Sequence, residues 1–282
     1  MRLIKNKLFV TLTSFLIVVI SSSLLAQSSI EFKDEIFKSF VKTIRLYPRF
    51  NTVDQDLQAP IVSLSSSTGL ILEFDILLED YEPFQAKLIH CNANWTRSML
   101  SDIEILADYN SFDLNDFKYS ENTNTLYTQY IFEVPPTKVS GNFILMVYQN
   151  NDQQDILFTS RFIVFENRVN INSNVRLSTV VSQRNFNQQI EFSLNYGNLD
   201  ISNPHSDVYV VLRQNQRWDN AIYGLRPTLV RQDQSFIEYR HFNSENNFKS
   251  GNEFRFFDLR TFLFRGQNIS YIDSDAIPMI AH

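Results

Sequence analysis

The chain has 282 residues, a formal net charge of −6, one cysteine, and 25 Phe and 12 Tyr against 4 Met. An acidic chain without a basic run offers no electrostatic footprint for nucleic acid or anionic lipid. One cysteine excludes an internal disulfide, so packing must hold the fold.

The N-terminus reads as a secretory signal. Arg2, Lys5 and Lys7 precede an apolar run over residues 8–20, and a small-residue stretch ends at Ala26, where cleavage is expected. The apolar run is shorter than the roughly 20 residues a membrane span needs, so direct membrane insertion is not expected. No cysteine follows that run to carry a lipid. Removing residues 1–26 takes away three positive charges and no negative ones, which turns −6 into −9. About 256 residues then remain, enough for one large domain or two small ones.

Aromatic and β-branched residues favour half-buried pleated surfaces, and the local patterns agree. Residues 34–42 are the place for a short helical turn. Leu70, Leu72, Phe74 and Ile76 share one face of an alternating run, as do Tyr130, Phe132 and Val134 before Pro135 and Pro136 end it. Residues 143–148 are continuously apolar, as in a strand buried on both faces. A polar turn over 149–155 leads to Ile156, Phe158, Phe162 and Val164, which completes a hairpin. Further on, Ile190, Phe192, Leu194 and Tyr196 alternate with polar residues, and Val208, Val210 and Leu212 form one more face. No long 3.6-residue period is present. The expected architecture is all-β: an antiparallel, Ig-like β-sandwich over residues 28–166, a polar break over 166–174, and a second β-sandwich domain over 170–282. A sandwich of about 100 residues needs most of that span, and more where its loops are long, so an incomplete second domain is one of the expectations.

The segment Ile89-His90-Cys91-Asn92-Ala93-Asn94-Trp95, with Ser98 behind it, gathers His, Cys and Trp and so suggests a thiol or metal site. Strand geometry sends His90 and Cys91 to opposite faces, and no ligand-spaced His or Cys lies nearby. No metal and no cofactor is therefore expected. An unpaired Cys91 behaves mostly as a small hydrophobe. Trp95 is read as a plug between the two sheets, and Asn92 as a turn residue. The acids Glu79, Asp80, Glu253 and Asp258 raise glycoside hydrolysis, which needs two carboxyls facing each other across a cleft; isolated acids on strand edges are usually solvated. No nucleophile elbow and no phosphate-cradling glycine loop is present, so no catalytic residue is assigned. Asn, Arg and Trp at strand ends either pin loops or meet a partner. On that basis Asn122, Thr123, Arg217 and Trp218 are the interaction candidates. Gly141 and Asn142 mark a turn into the buried strand, and Asn252, Glu253 and Arg255 lie in a second aromatic-centred segment.

Eight segments occur in a fixed order: TIRLY from Thr43, Phe74-Asp75, HCNANW from His90, SENTNTLYTQY from Ser120, SGNF from Ser140, Arg161-Phe162, QNQRWDNA from Gln214 and SGNEFRFFDLR from Ser250. Together they resemble the plug protein family of the type IX secretion system of Bacteroidota. The resemblance covers roughly residues 40–275, with His90, Cys91, Asn92, Trp95, Gly141, Asn142, Asn252, Glu253 and Arg255 in the matching motifs. It implies a non-enzymatic periplasmic protein associated with the outer membrane. Such a protein would dock on the translocon barrel and occlude its periplasmic opening. An exported carbohydrate-binding or adhesin-like sandwich, using Trp95 or Trp218, is the alternative.

Overall fold

A computed structural model describes residues 32–282 apart from 51, 53, 79, 80, 198, 252–256, 259, 262, 277 and 278. The expected signal at 1–26 lies outside the described residues, as do Glu79, Asp80, Asn252, Glu253 and Arg255.

The first unit is an all-β sandwich of two sheets. In chain order its strands are β1 (Glu35–Ile36), β2 (Val41–Pro48), β3 (Ile61–Ser63), β4 (Leu70–Ile76), β5 (Phe84–Cys91), β6 (Phe112–Asp113), β7 (Asp116–Tyr119), β8 (Thr128–Val134), β9 (Gly141–Gln149) and β10 (Ile156–Phe165). One sheet runs β1-β10-β9-β5-β6, with β3 parallel to β10; the other runs β2-β4-β8-β7. The alternating faces anticipated from the sequence meet here. Leu70, Leu72, Phe74 and Ile76 of β4 and Tyr130 and Val134 of β8 oppose Phe84, Ala86, Leu88, Phe143, Leu145 and Val147 across one core. Phe74 stacks on Tyr130 at 5.2 Å and meets Phe158 edge-on at 5.0 Å.

Strand β9 is buried on both faces, as its unbroken apolar run predicts. Phe143, Leu145 and Val147 point into the sandwich. Ile144, Met146 and Tyr148 point outward to a smaller cluster with Ile89, Cys91 and Trp95. Its hairpin to β10 spans the polar turn over 149–155, with Asn150 and Asn151 at positive φ.

The short helical turn anticipated over 34–42 is replaced by β1, a turn and the start of β2. Glu35 and Ile36 pair with Thr159 and Phe158 on the edge of β10, and ladder bonds outweigh an isolated helical turn. Beside a 3-10 turn at Gln55–Leu57, the helix of this unit among the described residues is one α-helical turn, α1 (Asp102–Ile105). It lies between β5 and β6.

The second unit starts inside the polar run, at β11 (Asn170–Leu177), and continues with β12 (Asn187–Asn195), the turn α2 (Pro204–Asp207), β13 (Val211–Leu212), β14 (Ile222–Tyr223), β15 (Leu229–Arg231), β16 (Phe236–Tyr239) and β17 (Asn247–Lys249). Its sheet runs β11-β12-β16-β15, with β17 also on β12. Phe192, Leu194, Tyr196, Ile237 and Tyr239 form a core on one face, covered by Leu225 and the β13–β14 ribbon. The face expected from Val208, Val210 and Leu212 does pack there, but only Val211 and Leu212 pair as strand. Proline at the first position of α2 turns the chain just upstream, and β14 offers two residues to pair with. A last ribbon joins β18 (Ile272–Asp273) to β19 (Ile280–Ala281). Edge strand β11 exposes every residue, Val175 and Leu177 among them.

Candidate functional site

The segment at the end of β5 is a tight, self-bonded turn. The Asn92 amide donates to Thr96 O at 2.8 Å, and the Trp95 amide donates back to Asn92 O at 2.9 Å. The Asn92 side chain donates to Thr96 Oγ1 and to Arg97 O, while Asn142 Nδ2 crosses from β9 to Asn92 O at 3.2 Å. Both asparagines are thus used up in closing the turn. Trp95 takes φ +63°, a conformation an aromatic residue rarely adopts. What holds it there is burial: its ring is 0% exposed.

His90 and Cys91 do point to opposite faces. The His90 ring lies edge-on to Phe143 at 4.9 Å, and its Nδ1 is 2.7 Å from Ser98 Oγ. Its Nε2 is 3.3 Å from Ser140 O. The ring sits so close over Gly141 that a Cβ there would overlap Nε2 and lie 3.0 Å from Cδ2. Gly141 is therefore required twice, by this approach and by its φ of +149°. On the other face, burial pushes the Cys91 thiol up to about 12, against the opposing pull of the Arg161 and Arg97 charges. A thiol so protonated is neither nucleophile nor ligand at neutral pH.

Trp95 does not plug the space between the two sheets as its sequence context suggested. The turn follows Cys91, which faces outward, so the ring lands on the outer face of the β5-β9-β10 sheet. There it meets Trp218 of the second unit edge-on, at 4.9 Å and 85°. The Arg161 guanidinium from β10 lies 4.6 Å from the Trp95 ring and 5.0 Å from Trp218, and Arg213 lies 4.0 Å over Trp218. Arg161 Nε also donates to Phe32 O at 2.9 Å, as does its Nη2, while Asp34 Oδ1 accepts from the Arg161 amide at 2.7 Å. Burial raises the Asp34 carboxyl, an effect partly offset by that bond and by the Arg161 and Arg213 charges. The outcome is a cation–aromatic stack that ties the N-terminal segment, the first sandwich and the second unit together. Nothing in the run around Trp218 pointed to Trp95 as its partner; the signal was only that both tryptophans sat in turns.

The remaining interaction candidates are dispersed. Asn122 and Thr123 occupy an exposed loop in which Thr123 Oγ1 donates to Thr125 O, and Asn122 takes φ +55°. Arg217 is exposed and pairs with Asp219. Of the acids weighed for hydrolysis, Asp258 is ion-paired with Arg260 at 2.6 Å. A groove of about 360 Å³ is lined by Val62, Leu70, Val134, Phe162 and Val164, and its one charged side chain, Glu133, pairs with Arg49. No group of three metal-ligating side chains occurs among the described residues, and none of their helices is long and apolar enough to cross a membrane.

These features define a β-sandwich protein whose signature segment is architectural: a turn that seats a histidine, closes on itself and carries the stack to a second β unit. Residues 41–166 match the family of the type 9 secretion system plug protein first domain, in agreement with the resemblance read from the sequence. A crystal structure of a hypothetical protein from Parabacteroides merdae ATCC 43184 is similar, with 28% identity and a TM-score of 0.76 over 86% of this chain. The present chain spans 61% of that protein's length. No curated protein matches.

Proposed function

We propose that the protein is a non-enzymatic periplasmic plug that occludes the periplasmic opening of the type IX secretion translocon in the outer membrane. In this reading residues 1–26 are a cleaved signal, 28–166 the plug's N-terminal domain and 170–282 its second domain. The observation that carries it is the match of residues 41–166 to the first domain of the plug family. The burial of Trp95 and the packing of Trp218 against it and Arg213 agree with it, because they leave neither ring as a free platform for a sugar. The protonated, buried thiol of Cys91 supplies no nucleophile.

Affinity purification of the tagged protein from its native host should recover the translocon barrel. Deleting the gene should also let large hydrophilic antibiotics cross the outer membrane. Retention of neither the barrel nor a permeability change would overturn the proposal.

A further inference from the structure

A strand at the edge of a sheet presents a row of unpaired N–H and C=O groups, and folded proteins blunt such edges with short strands, charges, proline or bulges. Among the described residues, this chain does so at every sheet edge but one. In the first sheet the outer strands β1 and β6 have two residues each, and β3 has three. In the second, β2 is bulged between Lys42 and Arg45, and β7 has four residues that include Asp116 and Lys118. The sheet of the second unit ends on one side in β15, and β17 lies beside it on β12; each has three residues. On the other side it ends in β11, eight residues in unbroken register with β12 and without proline, acid or lysine.

The register determines which groups of β11 are open. Ser178, the next residue along, donates its amide to Asn187 O at 3.3 Å, and on the far side of β12 the Ile190 amide donates to Asn246 O. Bonding residues alternate along an antiparallel ladder, so the even-numbered residues of β11 turn their backbone groups to β12. Ile171, Ser173, Val175 and Leu177 turn theirs to the open edge. Their side chains lie opposite Leu194, Phe192, Ile190 and Gln188, and so share the face that buries Phe192 and Leu194. That face runs one strand past the residues that cover it, which leaves Ile171, Val175 and Leu177 63%, 58% and 59% exposed. The same residues offer free hydrogen-bonding groups and an uncovered apolar strip, and an added extended strand satisfies both.

Pairing and charge together select a second copy of the chain. Two β11 strands run antiparallel about a two-fold axis through Asn174 set Ile171 opposite Leu177 and Ser173 opposite Val175, on both sides of the axis. All four open residues of each copy then bond, about eight hydrogen bonds in all, and a shift of two residues either way loses a pair. The one charged residue of the strand, Arg176, is held by Glu191 at 3.2 Å and falls opposite Asn172 of the second copy. Its counterpart lies about 13 Å further along, beyond the roughly 8 Å screening length at physiological salt. The contact is the same patch on both copies and closes at two. We propose that β11 is a pairing edge for β11 of a second copy, joining the two second-unit sheets into one. The inference goes beyond the proposed function and does not depend on it.

Sedimentation of the full-length protein over about 1–100 μM should show a reversible dimer. Ser173→Pro removes an outward N–H and no bond to β12, so it should weaken the dimer roughly tenfold or more with an unchanged denaturation midpoint. At the axis, residue 174 faces its own copy. Asn174→Lys and Asn174→Glu should therefore each weaken the dimer, and an equimolar mixture of the two should restore it. Asn174→Cys should form a symmetric disulfide under mild oxidation, because the opposed residues of a non-hydrogen-bonded pair lie about 4.5 Å apart. Asn172→Cys, about 13 Å from its counterpart, should not. The buried Cys91 takes no part. A protein still monomeric at about 100 μM, a dimer insensitive to Ser173→Pro and to the Asn174 charges, or a disulfide that forms as fast from position 172 as from 174 overturns the proposal. So does an adduct of Asn174→Cys with another protein of the host and none with a second copy.

Discussion

Replacing Gly141 with alanine tests the turn where it is tightest. The added methyl meets two separate obstacles. At φ +149° an L-residue is strained whatever the space around it, at a cost of order 1–3 kcal/mol. The methyl also overlaps the His90 ring, which cannot swing away freely because Ser98 and Ser140 hold its two nitrogens and its edge packs on Phe143. Displacing the ring forfeits a side-chain hydrogen bond of about 1 kcal/mol and an edge-on aromatic contact of about 0.5–1.5 kcal/mol. The sum is about 4 kcal/mol, a large share of the roughly 5–15 kcal/mol that holds a domain. In urea, with a slope near 2 kcal/mol per M, the midpoint should fall by about 2 M. A double-mutant cycle with His90→Ala separates the two obstacles, since removing the ring removes the overlap and leaves the backbone strain. The two substitutions should therefore be less costly together than the sum of their single effects, by about 1–2 kcal/mol. A Gly141→Ala midpoint indistinguishable from wild type, or strict additivity with His90→Ala, would refute the reasoning.

Trp218→Ala should cost about 2 kcal/mol through its edge-on contact with Trp95 and its cation–π contacts with Arg161 and Arg213. The chain has two tryptophans, so the emission left in this variant reports Trp95 alone and should move to longer wavelength; an unshifted spectrum would mean that Trp95 is covered by something else. Cys91, buried and with its thiol raised to about 12, should resist aromatic disulfide reagents at pH 8 in the native state and react promptly in denaturant, so that fast native labelling would contradict the assigned burial. Tyr130→Phe removes a hydroxyl that donates to Glu82 O at 2.9 Å and accepts from the Glu82 amide at 3.0 Å, and should lower stability by about 1–2 kcal/mol in chemical denaturation. The Ser101 hydroxyl and amide hold the Glu104 carboxyl below its ordinary value of 4.5, so its contribution to the start of α1 is present above that value and is lost only as pH falls through the lower folded one. Protection of the Ser101 amide relative to its intrinsic exchange rate should accordingly hold at pH 4.5 and fall below it; loss of that protection already above 4.5 would reverse the assignment.

Most of the first sandwich was legible because period-two alternation is a direct readout of a sheet with one buried face. The β4 and β8 faces and the doubly buried β9 appear where the apolar residues place them. What could not be read was partner choice between distant segments. The short strand β1 forms because β10 offers an open edge, a fact about position 158 that nothing near position 35 records. The bulge in β2, where Thr43 takes φ +50° and the register to β4 shifts, is likewise invisible to alternation. The separation of His90 from Cys91 was decided by strand geometry alone. The destination of Trp95 was not, because it depends on which unit covers the outer face of the sheet. The exposure of Met99, Ile103 and Tyr109 was missed for a related reason: in sequence they cannot be distinguished from the core residues Ile105 and Leu106 beside them.

The signature segment looked like chemistry because its residues are chemically distinctive, yet each is used for its shape. Histidine is the side chain that can reach a serine hydroxyl through one ring nitrogen and a carbonyl through the other while presenting a flat edge to Phe143. Glycine at 141 makes room for that ring, and cysteine fills the outward cluster with a small apolar group. Tryptophan accepts a left-handed backbone in exchange for a buried contact with the second unit. A catalytic arrangement would converge these groups on one point in space. Here they diverge: His90 towards the sandwich interior and the loop it anchors, Cys91 and Trp95 towards the opposite face. That divergence is the physical ground for reading the segment as a joint between elements, with whatever recognition the protein performs carried elsewhere on the chain.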